Sequence, residues 1–227
     1  MIEFFRFPHT PHLAWLGNTP PRGDKVLAAA EARKLLSGNI WVEEKLDGAN
    51  LGISAEANGE LRFQNRGEYL VPPFGGQFTR LNAWIGHHGQ NLLPKLVPGL
   101  ILFGEWCAAR HSVRYDHLPD WFIAFDVYDR DAGRFWRVHR RNAFAEQLGL
   151  PVAPCLLAGR ADLSGLAGLA TSSVSRFGSS LLEGLIVRHD GEDFLDRRAK
   201  LVRPGFLQFM GDHWRQRQTE WNQLQAP

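Results

Sequence analysis

The stretch from Asn39 to Gln64 constrains the fold of this 227-residue chain more than any other. Asn39-Ile40-Trp41-Val42-Glu43-Glu44 reads as a strand, Asp47-Gly48 offers a tight turn, and Leu51, Ile53 and Ala55 then alternate with Gly52 and Ser54. Asn58-Gly59, a strong hairpin signal, precedes a further strand at Leu61-Arg62-Phe63-Gln64. Such a succession of short strands and tight turns favours antiparallel sheet. It also sets Lys45 at the end of a rigid strand, just before the chain turns.

The rest of the sequence continues in this style, with short apolar runs punctuated by Gly, Pro, Asn and Asp. Strands are predicted at Leu100 to Glu105, Trp121 to Tyr128 and Phe135 to Val138, the last two linked by Asp131-Ala132-Gly133. Leu181 to Arg188 and Ala199 to Arg203 form another expected strand pair. Val26 to Leu36, preceded by Asp24 and stopped by Ser37-Gly38, reads as a helix, as does Arg140 to Leu148 with Gly149 as its cap. Phe206 to Gln223 reads as a terminal helix, its apolar Phe206, Phe209, Met210, Trp214 and Trp221 packing on the core and Arg215 and Arg217 on another side. The predicted fold class is α+β, with antiparallel sheets flanked by helices. No repeat and no low-complexity tract divides the chain, so one domain over residues 1–227 is expected.

Composition narrows the function without naming it. A content of 44% hydrophobic and 22% charged residues excludes a disordered chain. The net charge of +2 is too small to mark a nucleic-acid binder by itself. Its distribution matters more: Arg197, Arg198, Lys200, Arg203, Arg215 and Arg217 face only Asp212 in that stretch, a local density suited to phosphates. Cys107 and Cys155 lie far apart without metal-ligand spacing, and no basic, apolar leader opens the sequence. A reduced, cytoplasmic protein without a membrane span is expected. His87-His88 is expected to be a surface pair rather than a zinc site.

The chemistry concentrates around Lys45. K-x-D-G alone arises by chance in roughly one chain in twenty of this size. Its company is what makes it specific: Glu43-Glu44-Lys45-Leu46-Asp47-Gly48-Ala49-Asn50, then Asn65-Arg66-Gly67, Phe103-Gly104-Glu105-Trp106, Phe122 to Val127, Glu183-Gly184-Leu185-Ile186-Val187-Arg188 and Arg198-Ala199-Lys200-Leu201-Val202. In order and spacing these resemble motifs I, Ia, III, IIIa, IV and V of the covalent nucleotidyltransferases, which comprise ATP-dependent RNA and DNA ligases and mRNA capping enzymes. DNA ligases and capping enzymes usually end motif I in Arg, whereas Asn50 resembles the RNA-ligase branch.

The resemblance implies a reaction and a set of roles. Lys45 would attack the α-phosphate of ATP with Mg²⁺ or Mn²⁺, giving lysyl-AMP and pyrophosphate; AMP would pass to a 5′-phosphate, and a 3′-hydroxyl would displace it. It implies Lys45, Asp47, Glu183 and Lys200 as catalytic residues, with Glu183 at the metal. It implies Glu44, Asn50, Arg66, Glu105, Phe125, Arg198 and Lys200 as nucleotide-binding residues, Glu105 accepting a ribose hydroxyl and Phe125 stacking on adenine. RNA ends are the implied partner. DNA ends, a capping-type guanylyltransferase and a non-catalytic nucleic-acid-binding module are the alternatives. Two departures stand out: Arg198 replaces the first lysine of the usual K-x-K of motif V, and too few residues follow Val202 for an oligonucleotide-binding barrel. A separate end-processing or nucleic-acid-clamping partner would fill that gap.

A lysine of ordinary pKa, about 10.4, is almost wholly protonated at neutral pH. Desolvation, neighbouring cations or a metal are therefore expected to depress Lys45.

Overall fold

The computed structural model describes residues 3–18, 25–206 and 219–226. Ten strands among them build two antiparallel sheets. The first sheet has the order β10-β9-β1-β8, from Leu195–Val202, Gly184–Asp190, Ile40–Lys45 and Cys155–Gly159. The second runs β4-β3-β2-β5-β6-β7, from Tyr69–Leu70, Leu61–Gln64, Ala49–Ala55, Leu100–Trp106, Phe122–Asp129 and Arg134–Phe135. The Asn58-Gly59 hairpin forms as expected, with Gly59 at φ +81°. Asp47-Gly48 does something else: β1 and β2 do not pair, and the turn carries the chain from the first sheet into the second.

The period-two alternation of the first sheet separates two environments. Ile40, Val42, Leu185, Val187, Ala199 and Leu201 are buried against α1 (Ala29–Leu35) and α4 (Leu163–Ser172), which contribute Leu35, Leu166 and Ala170. Glu43, Lys45, Ile186, Arg188, Arg198 and Lys200 fall on the opposite face and line a cavity. The second sheet buries Leu51, Ile53, Leu102, Trp106, Phe122 and Val127 with Leu81, Trp84 and Leu92 of α2 (Leu81–Leu92). A third helix, α3 (Val138–Gln147), is followed by Gly149 at φ +69°.

Several sequence expectations change at their edges. Val138 begins α3 instead of ending a strand. The first helix starts only at Ala29, because Lys25 and Leu27 exchange backbone hydrogen bonds with His12. Asp24 lies outside the described residues. Most of the expected terminal helix, residues 207–218, also lies outside them; residues 219–223 are not helical, and Trp221 bridges Ala109. His87 is exposed, but His88 is buried, stacked on Trp84 and 2.9 Å from the Asp120 carboxylate. Among the described residues no helix is long and apolar enough to cross a membrane.

Candidate active site

Lys45 ends β1 and faces the cavity between the sheets, its Nζ 2.6 Å from Glu183 Oε1. Glu183 immediately precedes β9, and Lys45 pairs with Gly184 in the register between β1 and β9. A Cβ on Gly184 would stand 2.4 Å from the Leu201 carbonyl oxygen, so only glycine lets β9 lie this close to β10. Gly48 is under the same constraint, its Cβ position being 2.5 Å from the Trp106 carbonyl oxygen. Its N–H donates to Glu105 Oε1 at 3.0 Å, which fixes Glu105 beside the lysine.

Burial and mutual charge set the protonation of this cluster. Burial pushes Glu183 and Glu105 up to about 7, against the pull of Lys45. Burial opposes charge on Lys45 too, but Glu183, Glu105 and Asp47 together outweigh it and raise its pKa above the usual lysine value. The expected depression is thus absent in the protein alone: Lys45 rests as an ammonium among carboxylates. Lys200, on the same sheet face, does not reverse this.

The other expected residues divide into two groups. Asn50, Arg66, Glu105, Phe125, Glu183 and Lys200 all line a cavity of about 280 Å³ with Lys45. Phe125 owes its place to a β-bulge, since Phe103 pairs with Asp126 but Gly104 with Ala124, leaving Phe125 as the extra residue. Asn65 accepts from the N–H groups of Gly67 and Glu68, making a turn that carries exposed Arg66 over the cavity.

Three residues are committed elsewhere. The Glu44 carboxylate accepts from Ser175 Oγ at 2.5 Å and Arg176 N–H at 2.8 Å, so its side chain holds a loop. Arg198 is ion-paired with Asp126 and packed over the rings of Phe7 and Phe135 at 4.6 and 4.3 Å; burial holds it down to about 10. It forms the cavity floor, as a structural cation. Asp47 Oδ2 accepts from Ser112 N–H at 2.6 Å and Val113 N–H at 2.7 Å, which makes Asp47 an anchor for the turn after Lys45.

Residues to which the sequence reading gave no role complete the lining, although the resemblance begins at His9-Thr10-Pro11-His12-Leu13 and its motif IV contains Ile186. Phe7, His9, Thr10 and His12 come from the segment whose Pro11 and Leu13 hydrogen-bond to the Lys200 backbone. Ile186 lines the cavity with Phe125, an apolar pair suited to a nucleobase. A second, more polar cavity of about 550 Å³ adjoins the first, shares Lys45, Asn50, Arg66, Glu105 and Glu183 with it, and adds Gln77, His111 and Ser112. The two spaces meet at Lys45, which marks their boundary.

A divalent cation suits the same boundary. Among the described residues no three His, Cys, Asp or Glu form an all-protein metal cage. Mg²⁺-type sites commonly use one or two carboxylates plus substrate phosphates, and Glu183 and Glu105 supply hard carboxyl oxygens beside Lys45.

An RNA ligase family model matches residues 38–202, and the chain belongs to that family. The fold is also that of solved ligases. Naegleria gruberi RNA ligase with pyrophosphate is 19% identical with a TM-score of 0.61, over 93% of this chain and 64% of that one. A variant of the same ligase with ATP and Mn gives 18% and 0.62, over 88% and 63%. An archaeal ATP-dependent RNA ligase gives 20% and 0.54, over 87% and 48%. This chain therefore spans less than two thirds of the length of these ligases. A comparison with curated proteins finds no match.

Proposed function

We propose that this chain is an ATP-dependent RNA ligase that carries AMP on Lys45. The carrying observation is the Lys45–Glu183 pair at 2.6 Å, at the junction of two adjoining cavities, the first holding the apolar Phe125 and Ile186 and the second the more polar. Adenine stacks on Phe125 opposite Ile186, and Glu105 accepts a ribose hydroxyl. Lys200 and Arg66 meet the phosphates, where fixed cations stabilise the charge that builds on the oxygens as pyrophosphate departs. Lys45 Nζ attacks the α-phosphorus, a P–N bond forms and the bond to pyrophosphate breaks. AMP then passes to the 5′-phosphate of an RNA, and a 3′-hydroxyl displaces it to leave a phosphodiester.

The resting ammonium must give up its proton, to water in the open cavity, before this attack. Glu183 positions Nζ in the ground state and, with Glu105, keeps it charged until the substrates bind. A divalent cation, Mg²⁺ or Mn²⁺, held at Glu183 would draw the carboxylate charge away from Lys45 and so favour the free amine. The ligases with ATP and Mn, and with pyrophosphate, are of the same fold and support this reading.

Incubation with α-labelled ATP and Mg²⁺ or Mn²⁺ tests it, followed by mapping of the label. A label on Lys45 that Lys45→Ala abolishes is expected. No covalent label, or one that persists in Lys45→Ala, overturns the reading. Labelling by GTP in preference to ATP would indicate a guanylyltransferase, and sealing of nicked DNA but not of RNA would indicate a DNA ligase.

A further inference from the structure

The loop between β5 and β6 has no regular structure, yet it grips the turn that follows Lys45 at three atoms. Ser112 and Val113 donate to the Asp47 carboxylate, and the Tyr115 hydroxyl accepts from Asp47 N–H at 2.7 Å. Tyr115 is fully buried, as are Cys107 and Leu118 at the loop's two ends. What fixes this loop comes from the far end of the sequence.

Residues 219–226 lie along the loop as a strap. Arg110 N–H donates to the Glu220 carbonyl, Asn222 N–H to Ala108, Gln223 N–H to Tyr115, Leu118 N–H to Gln223 and Gln225 N–H to Leu118, all between 2.8 and 3.0 Å. Trp221 joins the main core, with the Arg80 guanidinium 4.4 Å from its ring centre. The Asn222 side chain sits at the centre, only 3% exposed. Its Oδ1 accepts from Tyr115 N–H at 3.0 Å; its Nδ2 donates to the Cys107 carbonyl at 2.8 Å and lies 3.4 Å from that of Ala109.

We infer that Asn222 is a positioning residue for Lys45, acting through the Cys107–Leu118 loop and Asp47. Elsewhere the loop is tied through Asp116 and His117 N–H to the Phe177 carbonyl, at 2.8 and 3.2 Å, but Tyr115, whose hydroxyl receives Asp47 N–H, is held at its backbone by the strap, through Asn222 Oδ1 and Gln223 N–H. A buried amide with both ends hydrogen-bonded fixes geometry more sharply than apolar packing, because each lost partner leaves a buried group unsatisfied. Displacing a nucleophile by about 1 Å costs as much as 100-fold in rate. No residue of the strap lines either cavity, and the loop it holds reaches only the second, through His111 and Ser112, so its effect falls on the attack and not on the space shared by Phe125 and Ile186. This inference rests on Lys45 being the adenylylated residue.

The test is the single-turnover rate of Lys45 labelling by α-labelled ATP, over a range of ATP concentrations, in the full chain. Asn222→Ala is expected to lower the limiting rate at least tenfold, with the ATP concentration for half-maximal rate changed less than threefold. Tyr115→Phe, which removes only the hydroxyl that receives Asp47 N–H, is expected to show the same signature. If the two act along one path, the double variant loses clearly less than the product of the single losses. Leu35→Ala, in the first-sheet core away from the site, serves as a stability control and is expected to label at the wild-type rate. An unchanged limiting rate in Asn222→Ala, full multiplicativity in the double variant, or an equal rate loss in Leu35→Ala overturns the inference. Should Asn222→Ala not fold, Tyr115→Phe decides alone: a limiting rate within twofold of wild type overturns it. Failure of the wild-type chain to label would instead sink the lysyl-AMP reading.

Discussion

Lys45 carries two opposing demands. Its partner Glu183 holds Nζ in place at 2.6 Å, and the same contact, with Glu105 and Asp47, raises its pKa and keeps it protonated, against the free amine that the proposed attack needs. Below the lysine pKa the free amine grows tenfold per pH unit, and Glu105 and Glu183, titrating near 7, lose their protons over the same range and bind cation better. The rate of adduct formation at saturating ATP and metal is therefore expected to climb from pH 6 to 8, approaching tenfold per unit. Glu105→Gln removes one of the carboxylates and should move that profile to lower pH while raising the ATP requirement. A flat wild-type profile would contradict the resting ammonium. Phe125 gives a simpler expectation: base stacking is worth roughly 1–3 kcal/mol, so Phe125→Ala should weaken ATP binding by about 5- to 150-fold, measured as the half-saturating ATP for labelling. The identities of these residues were legible because the motif glycines and carboxylates recur in a fixed order. The targets of Glu44, Asp47 and Arg198 were not, because a carboxylate or guanidinium in a motif looks the same whether it meets a ligand or the buried N–H of a distant loop.

At the level of elements, alternation and turn chemistry carried most of the strands. Asn58-Gly59 and Asp131-Ala132-Gly133 made their hairpins because each supplies a glycine at positive φ, Gly59 at +81° and Gly133 at +64°. Asp47-Gly48 carries the same turn residues and makes a sheet crossover instead, with Gly48 chosen for close approach to Trp106. β8 follows Pro154 as Cys-Leu-Leu-Ala-Gly, without alternation, and gave no local signal. The Phe125 bulge was equally hidden, since an extra residue is visible only against its partner strand. Gly184 offers the clearest elemental test. Gly184→Ala must push β9 from β10 or strain both, because its Cβ would sit 2.4 Å from a backbone oxygen that cannot rotate away. A loss of about 1–3 kcal/mol is expected, or a Tm lower by about 2–4 °C per kcal/mol, with loss of labelling since Lys45 pairs with this residue. An unchanged Tm would refute the packing argument.

Across the whole molecule, the two sheets are joined by buried charge as well as by the chain. Glu43 meets Arg141, and Asp126 meets both Arg188, at 2.8 Å, and Arg198; β1, β9, β10, β6 and α3 all contribute. Asp126→Ala removes the carboxylate that two buried guanidinium groups share, leaving Arg188 with Glu43 at 3.8 Å, and should cost about 3–5 kcal/mol in denaturant unfolding. Near Lys45 the sign is reversed, because Glu105 and Glu183 titrate near 7 in the folded chain against about 4.3 when unfolded. Between those values the folded state binds more protons, so their contribution to stability is full below about pH 4 and is lost as pH rises through 7. The loss per group is on the order of 3 kcal/mol. Glu105→Gln removes one such group, while Glu183 stays beside Lys45 as its counter-ion. The variant should match wild-type stability near pH 4.5 and exceed it at pH 8, by denaturant midpoint with an unchanged slope. A variant less stable than wild type at pH 8 would mean that Glu105 contributes more to holding Gly48 and Lys45 than its buried charge costs.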